Sequence, residues 1–152
     1  MGSCFSKKKL LEQTEFNTTP AFTLDNIKTN IKVLKVYDGD TIWISIYLYG
    51  RFLKFKVRML GYDSPELHPK LNLPNRNEHM KRAIDAKQYL ESLILNKIVT
   101  GEFYKFDKYG RALCNIYIPD PSSKTIICKN PVCVNTLMIR NGHGVPYMGG
   151  SK

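Results

Sequence analysis

The chain has 152 residues, of which 43% are hydrophobic and 24% charged, and it carries a formal net charge of +10. This length is enough for one domain with its own core, and the sequence has no apolar run near the ~20 residues that a transmembrane helix needs. The charge is still +7 when the three lysines at residues 7–9 are set aside, so the domain itself is basic. A basic domain suggests a polyanionic partner, either nucleic acid or a membrane surface.

The nine N-terminal residues, MGSCFSKKK, match the pattern for N-myristoylation, with Gly2 as the acceptor and Ser6 at the required hydroxyl position. One myristoyl chain binds a membrane only weakly, so a second signal is expected. Palmitoylation of Cys4 and the three lysines could both supply it, since each lysine adds about 1 kcal/mol at an anionic leaflet. The alternative is a remnant of cloning, which would not account for these features together. We expect a membrane anchor at residues 1–9 and a tether at residues 10–30.

The four cysteines do not have the spacing of a zinc site or of a redox pair: Cys4, Cys114, Cys128 and Cys133. The N-terminus also lacks the apolar stretch of a secretory signal peptide. We therefore expect reduced thiols and an intracellular protein that is held at a membrane by its N-terminus.

From residue 31 to residue 60 the sequence predicts three antiparallel strands. The first covers residues 31–37 and ends at Asp38-Gly39, a strong signal for a tight turn. Aliphatic side chains alternate with polar or aromatic ones over residues 42–48, and apolar with basic ones over residues 53–59. By this alternation Arg58 faces away from the apolar side. A turn at residues 49–51 joins the last two strands.

After a proline-rich loop, an apolar stripe of Ala83, Ala86, Leu90 and Leu93 predicts a helix between Asn77 and Asn96. Strands are predicted at residues 98–106 and 112–118, and a short helix at residues 134–140 before Gly142. Strand-strand-strand-helix-strand-strand with short connections is compatible with a small Greek-key barrel of the OB type. The fold class is therefore α+β, mainly β, with a domain at residues 31–152.

Three polar islands flank strand ends in this scheme. They are Asp38 and Asp40, then Arg58, Asp63 and Glu66, then residues 107–111 with Arg111 at their end. Phosphodiester cleavage needs oxygen ligands for a hard cation, arginines for the charge that develops at phosphorus, and a carboxylate to orient water. Asp40 and Asp63 could bind the cation, and Glu66 could orient the water. The two arginines could bind the phosphate.

Each of these residues also has a purely structural interpretation. Asp38 and Gly39 make a turn in any case, and Asp63 and Ser64 before a proline could form an Asx turn. Arg58 and Arg111 could be solvated surface charges. Composition and spacing alone leave both interpretations open.

Four segments, taken in order, resemble the staphylococcal nuclease family: DGDT (38–41), VRMLGYDSPE (57–66), DKYGR (107–111) and VNTLMIRNG (134–142). The resemblance covers about residues 31–147 and implies a five-stranded OB-fold barrel with one main helix and a short C-terminal helix. It also implies a calcium-dependent, sugar-non-specific nuclease that cleaves DNA and RNA to 3′-phosphates. One Ca²⁺ per site is implied.

The resemblance further implies roles for single residues. Asp40, Asp63 and the backbone carbonyl of Ser64 would be calcium ligands. Glu66 would be the general base or water orienter, and Arg58 and Arg111 would contact the scissile phosphate. Lys108 and Tyr109 would hold a terminal phosphate, and Tyr147 lies near the position of a base-stacking tyrosine.

The chain departs from the family pattern in a shorter connection at residues 103–107, an insertion at residues 119–133 and the lack of a final helix. We expect a monomer that acts on single strands or frayed duplex and whose N-terminus contacts anionic membrane. The alternatives are an OB-fold module that binds nucleic acid without cleaving it and a basic scaffold for membrane surfaces.

Overall fold

The computed structural model of the protein describes residues 3–120 and 130–147, with side chains from residue 6 onward. The elements follow one another in chain order: α1 Ser3–Leu11, β1 Lys28–Val36, β2 Thr41–Leu48, β3 Arg51–Met59, β4 Tyr62–Asp63, α2 Arg76–Ile94, β5 Ile98–Phe106, β6 Ala112–Pro119, β7 Pro131–Cys133, α3 Val134–Arg140 and β8 Val145–Pro146. None of the described helices combines the length and the apolar character that crossing a membrane requires.

Five strands close into a mixed barrel. β1, β2 and β3 form an antiparallel meander, β1 also pairs with β5, and β5 pairs with β6. The barrel closes through a parallel ladder between β3 and β6, in which Arg58 lies opposite Leu113 and Met59 opposite Cys114. This strand order and the two helices confirm the predicted OB-fold barrel. We call the β3–β6 ladder the closing seam.

The core fills the barrel with aliphatic side chains that alternate along the strands. Ile42, Ile44 and Ile46 of β2 are almost fully buried, and the intervening residues face outward. The period of two that predicted these strands is therefore the period of burial. α2 covers one open end with the small residues Ala83 and Ala86 and the larger Leu90 and Ile94.

The boundaries of α2 and of the domain differ in part from the predicted ones. α2 begins at Arg76, after Asn75 in a left-handed conformation, and Ile94 is buried where the prediction had Leu93. Residues 28–30, which the sequence assigned to the tether, lie in β1, and Leu24 is buried in the core. The structure also places an unpredicted helix, α1, at the N-terminus.

The predicted insertion contributes a strand to the sheet. β7, which lies at its end, pairs antiparallel with β6 through Cys133 opposite Tyr117 and Val132 opposite Ile118. Cys128 lies outside the described residues. β4 and β8 form a separate two-stranded ladder in which Asp63 lies opposite Val145, so the C-terminal segment supports the loop that carries Asp63.

Asn135, at the start of α3, ties that helix to the closing seam. Its side-chain nitrogen donates to the carbonyls of Leu60 (2.8 Å) and Cys114 (3.0 Å), and its side-chain oxygen accepts the backbone N–H of Ile116 at 3.1 Å. Asn135 is buried, so these three bonds satisfy backbone groups that water does not reach. One side chain thus holds β6 and the end of β3 together.

Candidate functional site

The turn between β1 and β2 sets the position of Asp40. The Asp38 carboxylate accepts the backbone N–H of Asp40 at 3.1 Å, which forms an Asx-type turn at the place where Asp38-Gly39 predicted a tight hairpin turn. Gly39 is required here for space: a Cβ at this position would lie 2.7 Å from the Ser64 Cβ and 3.0 Å from the Ala86 Cβ. The buried hydroxyl of Tyr62 donates to the Gly39 carbonyl at 2.7 Å and holds the turn from behind.

Asp40 is buried and accepts three hydrogen bonds. Its Oδ1 accepts from the Thr41 hydroxyl at 2.9 Å and from Arg58 Nη1 at 2.7 Å, and its Oδ2 accepts from the Ser64 backbone N–H at 2.9 Å. Arg58 also donates through Nη2 to the Asp63 carboxylate. One guanidinium therefore bridges the two carboxylates, which come from separate parts of the chain.

The charges of this cluster shift the pKa values of Arg58 and Asp38. Burial alone would lower the pKa of Arg58, but the neighbouring charges of Asp40 and Asp63 raise it, so the guanidinium stays charged. Burial raises the pKa of Asp38, and the charge of Asp40 raises it further. The negative charge of Asp40 therefore makes the Asp38 carboxylate easier to protonate.

Arg111 reaches the same cluster from the opposite side of the closing seam. Asp107 Oδ1 accepts the backbone N–H groups of Tyr109 and Arg111, both at 2.9 Å, and Asp107 Oδ2 accepts from Arg111 Nε at 2.6 Å. Arg111 Nη1 then lies 3.4 Å from the hydroxyl oxygen of Thr41. Thr41 thus connects Asp40 to the second arginine.

The pKa of Asp107 reflects this arrangement. Burial opposes ionisation of its carboxyl group, but the hydrogen bonds from the backbone and guanidinium of Arg111 outweigh it and lower the pKa. Asp107 therefore stays ionised and holds Arg111 in one orientation.

The remaining residues singled out from the sequence lie around this cluster. Glu66 is exposed, and within the described residues it makes no hydrogen bond or ion pair. Lys108 and Tyr109 lie on the turn before Arg111, with the Lys108 ammonium 5.1 Å and the Arg111 guanidinium carbon 5.4 Å from the centre of the Tyr109 ring. Gly2 lies outside the described residues, as does the side chain of Cys4.

A pocket of about 410 Å³ opens beside Arg58. Tyr147 lines it together with Leu113 and Asn115 of β6 and with Cys133 of β7. The backbone N–H of Tyr147 donates to the Gly61 carbonyl at 2.9 Å, so the segment after β8 is fixed against the end of β3. The pocket is large enough for a small ligand and lies next to the charged cluster.

The carboxylate oxygens around Arg58 are compatible with binding of a hard cation. A carboxylate offers about four lone-pair positions, and protein donors occupy three of those of Asp40. The remaining direction on Asp40 Oδ2 and the carboxylate of Asp63 would be oxygen ligands, with water completing the shell. The described residues contain no group of three or more His, Cys, Asp or Glu side chains that could hold a metal, so a cation here depends on backbone and water oxygens.

Three residues of the site received no role from the sequence: Thr41, Tyr62 and Asp107. Each acts on another residue of the cluster, either by orienting a side chain or by fixing the turn at Gly39. Asp107 could have been recognised from its position four residues before Arg111, the spacing of an ion pair around a Gly-containing turn.

The structure defines an OB-fold barrel that carries a carboxylate pair and two arginines at its closing seam. Residues 56–149 match the family model described as staphylococcal nuclease homologue, so the chain belongs to this family. An uncharacterized protein of Methanocaldococcus jannaschii is 36% identical over 132 residues, covering 77% of this chain and 58% of that protein.

A second relative is named an uncharacterized endonuclease and comes from Escherichia coli. It is 27% identical over 116 residues, covering 76% of this chain and 60% of the relative. The Escherichia coli O157:H7 protein of the same name matches equally. The chain thus spans about three-fifths of the length of these relatives.

Proposed function

We propose that this protein is a calcium-dependent, sugar-non-specific nuclease that hydrolyses DNA and RNA to 3′-phosphate products at a membrane surface. The observation that carries the proposal is that Arg58 on β3 and Arg111, just before β6, reach the neighbouring residues Asp40 and Thr41. Family membership and the endonuclease name of a relative support the same chemistry.

The two arginines would bind the scissile phosphate. Their planar, permanently charged guanidinium groups match the oxygens of a phosphodiester, and they stabilise the charge that develops as water attacks phosphorus. Asp107 keeps Arg111 oriented before substrate arrives, which reduces the ordering needed in the transition state.

Glu66 would position the attacking water and take its proton. Its carboxylate is exposed and makes no hydrogen bond or ion pair in the described structure. It is therefore available to accept a proton from the attacking water. The water oxygen bonds to phosphorus, the bond from phosphorus to the 5′-oxygen breaks, and that oxygen takes a proton from solvent. Asp40, Asp63 and the Ser64 carbonyl would hold Ca²⁺, which when bound would neutralise charge on the phosphate.

The substrate would be single-stranded or frayed nucleic acid, because the nucleotide must enter a pocket beside Arg58. The basic domain supplies affinity that does not depend on sequence and falls with salt. The membrane location rests on the N-terminal signals Gly2, Cys4 and residues 7–9.

The deciding experiment is cleavage of a fluorescent single-stranded DNA with calcium and then with chelator. We expect calcium-dependent cleavage, and in Glu66→Gln a rate at least about a hundredfold lower with unchanged folding, since general base catalysis contributes that much. Glu78→Gln, an exposed acid on α2, is the matched control. Binding of DNA without cleavage would favour a non-catalytic OB module, and binding of anionic vesicles alone a membrane scaffold.

A further inference from the structure

The hairpin that joins β2 to β3 exposes three aromatic side chains at its end. Tyr47, Tyr49 and Phe52 are 58%, 74% and 77% exposed. Tyr47 lies opposite Phe52 in the ladder, and the centres of their rings are 5.1 Å apart. Large apolar groups that cluster on a protein surface mark an interaction site. We call Tyr47, Tyr49 and Phe52 the hairpin tip.

The turn at the hairpin tip carries a side chain that its backbone disfavours. Tyr49 and Gly50 both have positive φ, 52° and 76°. A two-residue turn of this kind favours asparagine or aspartate before glycine, because a bulky side chain in the left-handed region crowds the backbone. The Tyr49 ring is mostly exposed, so core packing does not offset this cost. Such a backbone outlier points to a function for the exposed ring.

Both strands of the hairpin carry only positive charge. The sequence has no Asp or Glu between Asp40 and Asp63. Arg51 follows the turn directly, Lys54 lies two residues beyond Phe52, and both basic side chains are exposed. The end of the hairpin therefore presents apolar rings beside two cationic groups.

The N-terminal segment joins the barrel at the same end of the β1–β2 pair. The two strands are antiparallel, with Lys32 opposite Ser45 and Val36 opposite Ile42, so β1 begins at the end where β2 reaches Leu48. The candidate site lies at the other end of β2. The seven steps from Thr41 to Leu48 span about 23 Å at about 3.3 Å per residue.

We propose that the hairpin tip contacts an anionic lipid bilayer and orients the barrel on it. The inference rests on the membrane location in the proposed function and on no catalytic step. Tyrosine has an apolar ring and a polar hydroxyl group, a combination that is enriched at membrane–water interfaces. Arg51 and Lys54 would reach anionic headgroups, which attract basic residues near the surface.

A bilayer suits rings that lie at the end of a hairpin. Interfacial segments enter the headgroup layer by only about 5–10 Å, so the rings can insert while the rest of the barrel stays in water. The candidate site at the far end of β2 then stays clear of the lipid and open to substrate. Three partly inserted rings give a weak contact, so the hairpin tip orients a domain that the N-terminus holds at the membrane.

The test measures sedimentation of the full, unacylated chain in chelator with vesicles of phosphatidylcholine and phosphatidylserine. The parent chain should bind these vesicles, and it should bind vesicles of phosphatidylcholine alone more weakly, because they lack the negative charge. Tyr49→Asn/Phe52→Ser should lower the partition coefficient at least about tenfold, as expected when two rings no longer leave water.

Two comparisons separate this effect from damage to the fold. Tyr49→Asn alone should be at least as stable to urea as the parent chain, because asparagine suits the turn, and it should still bind the vesicles less well. Ile98→Ser is the matched control: Ile98 is 72% exposed at the start of β5, opposite Lys32 and away from the hairpin tip. This variant should bind the vesicles like the parent chain.

The orientation is measured by fluorescence quenching. Trp43 is the only tryptophan of the parent chain and lies about 20 Å from Tyr49 along β2. Brominated acyl chains should therefore leave the emission of the parent chain unchanged and should quench part of the emission of Phe52→Trp.

The inference is overturned if Tyr49→Asn/Phe52→Ser sediments with the vesicles like the parent chain, or if the parent chain does not sediment with them. It is also overturned if this variant loses only binding to a fluorescent dodecathymidylate. If the inference fails in this way but Gly2→Ala leaves the membrane fraction, the proposed membrane location stands. If the parent chain does not cleave with calcium but the variant loses vesicle binding, the proposed nuclease activity fails and the lipid contact stands.

Discussion

Arg58 bonds to Asp40 and Asp63 through different nitrogens, so it is the counter-ion that allows the two carboxylates to lie close together. Arg58 and Asp40 are only 15% and 8% exposed, so water screens the pair little. Because the loss of one partner leaves a buried charge unpaired, Arg58 contributes to the stability of the fold as well as to the proposed chemistry.

We predict that Arg58→Ala lowers the free energy of unfolding by about 3 kcal/mol in chelator, the cost of breaking a buried pair. Calcium should recover part of this loss, because a cation would replace the missing positive charge. Urea unfolding with and without calcium measures both effects. Arg140→Ala, on the last turn of α3, is the control and should change stability by less than about 0.5 kcal/mol.

Asp107 gives a pH dependence whose sign follows from its pKa. Because that pKa is lower in the folded state than in the unfolded chain, Asp107 stabilises the fold above its unfolded value of 3.8. The contribution is lost as the pH falls through the lowered value. Asp107→Asn keeps an oxygen for the two backbone N–H groups but loses the bond to Arg111 Nε.

Asp107→Asn should therefore be less stable than the parent chain at pH 7, and the difference should be smaller at a pH well below 3.8. Urea unfolding at the two pH values measures it, and a gap that stays constant with pH would contradict the assigned interaction. The same variant should cleave more slowly at pH 7, since Arg111 is no longer held in position.

The sequence predicted most of the residues of the site, but it did not predict that Arg58 bridges Asp40 and Asp63. Alternation along β3 correctly placed Arg58 outside the apolar face. The link to Asp40 depends on register, which the Tyr49-Gly50 turn determines: both residues have positive φ, and Leu48 lies opposite Arg51. A two-residue turn at this place puts Arg58 opposite Thr41. The predicted three-residue turn at residues 49–51 does not give this register.

At the scale of elements, the periodicity of apolar residues predicted the main helices and strands, but it did not predict several of their boundaries. The spacing from Leu90 allows either Leu93 or Ile94 on the buried stripe of α2, and only the position of the barrel selects Ile94. β4 and β8 have two residues each, which is too short for any period to show. β7 forms because β6 extends beyond its ladder with β3 and pairs there with residues 131–133, a tertiary effect.

Asn135 is the residue on which the packing of α3 depends. We predict that Asn135→Ala lowers the free energy of unfolding by about 3 kcal/mol, because the Leu60 carbonyl and the Ile116 N–H each lose their bond to this side chain. The Cys114 carbonyl still accepts the backbone N–H of Leu60 at 2.9 Å. Thermal or urea unfolding measures the change. Asn141→Ala at the exposed end of the same helix removes one hydrogen bond, to the Leu137 carbonyl, and should cost less than about 1 kcal/mol. Equal effects for the two variants would show that Asn135 is not a structural link.

At the scale of the whole molecule, the proposed function gives one chain two interactions, one with nucleic acid and one with a membrane. The domain would bind nucleic acid through its charge, and the acylated N-terminus would bind lipid. Because these are separate segments, we expect the two interactions to be separable by mutation.

Membrane fractionation of Gly2→Ala tests this expectation. The variant should move to the soluble fraction, since no myristoyl chain can be attached, and calcium-dependent cleavage in the extract should persist. Cys4→Ser should show an intermediate distribution, because it loses only the second lipid signal. Unchanged partitioning of Gly2→Ala would show that acylation is not what holds the protein at the membrane.

The closing seam also has a consequence for the order of folding. Arg58 and Leu113 meet across the seam although 54 residues separate them, whereas Thr41 and Arg58 belong to one hairpin. Contacts between residues so distant in the chain form later than contacts within a hairpin, because they require a longer loop to close. Arg58 and Arg111 therefore come together only after the hairpins exist. A chain that is still being synthesised, or one whose seam has opened, has no assembled site. The proposed nuclease activity would therefore appear only when the seam closes and would be lost when the seam opens.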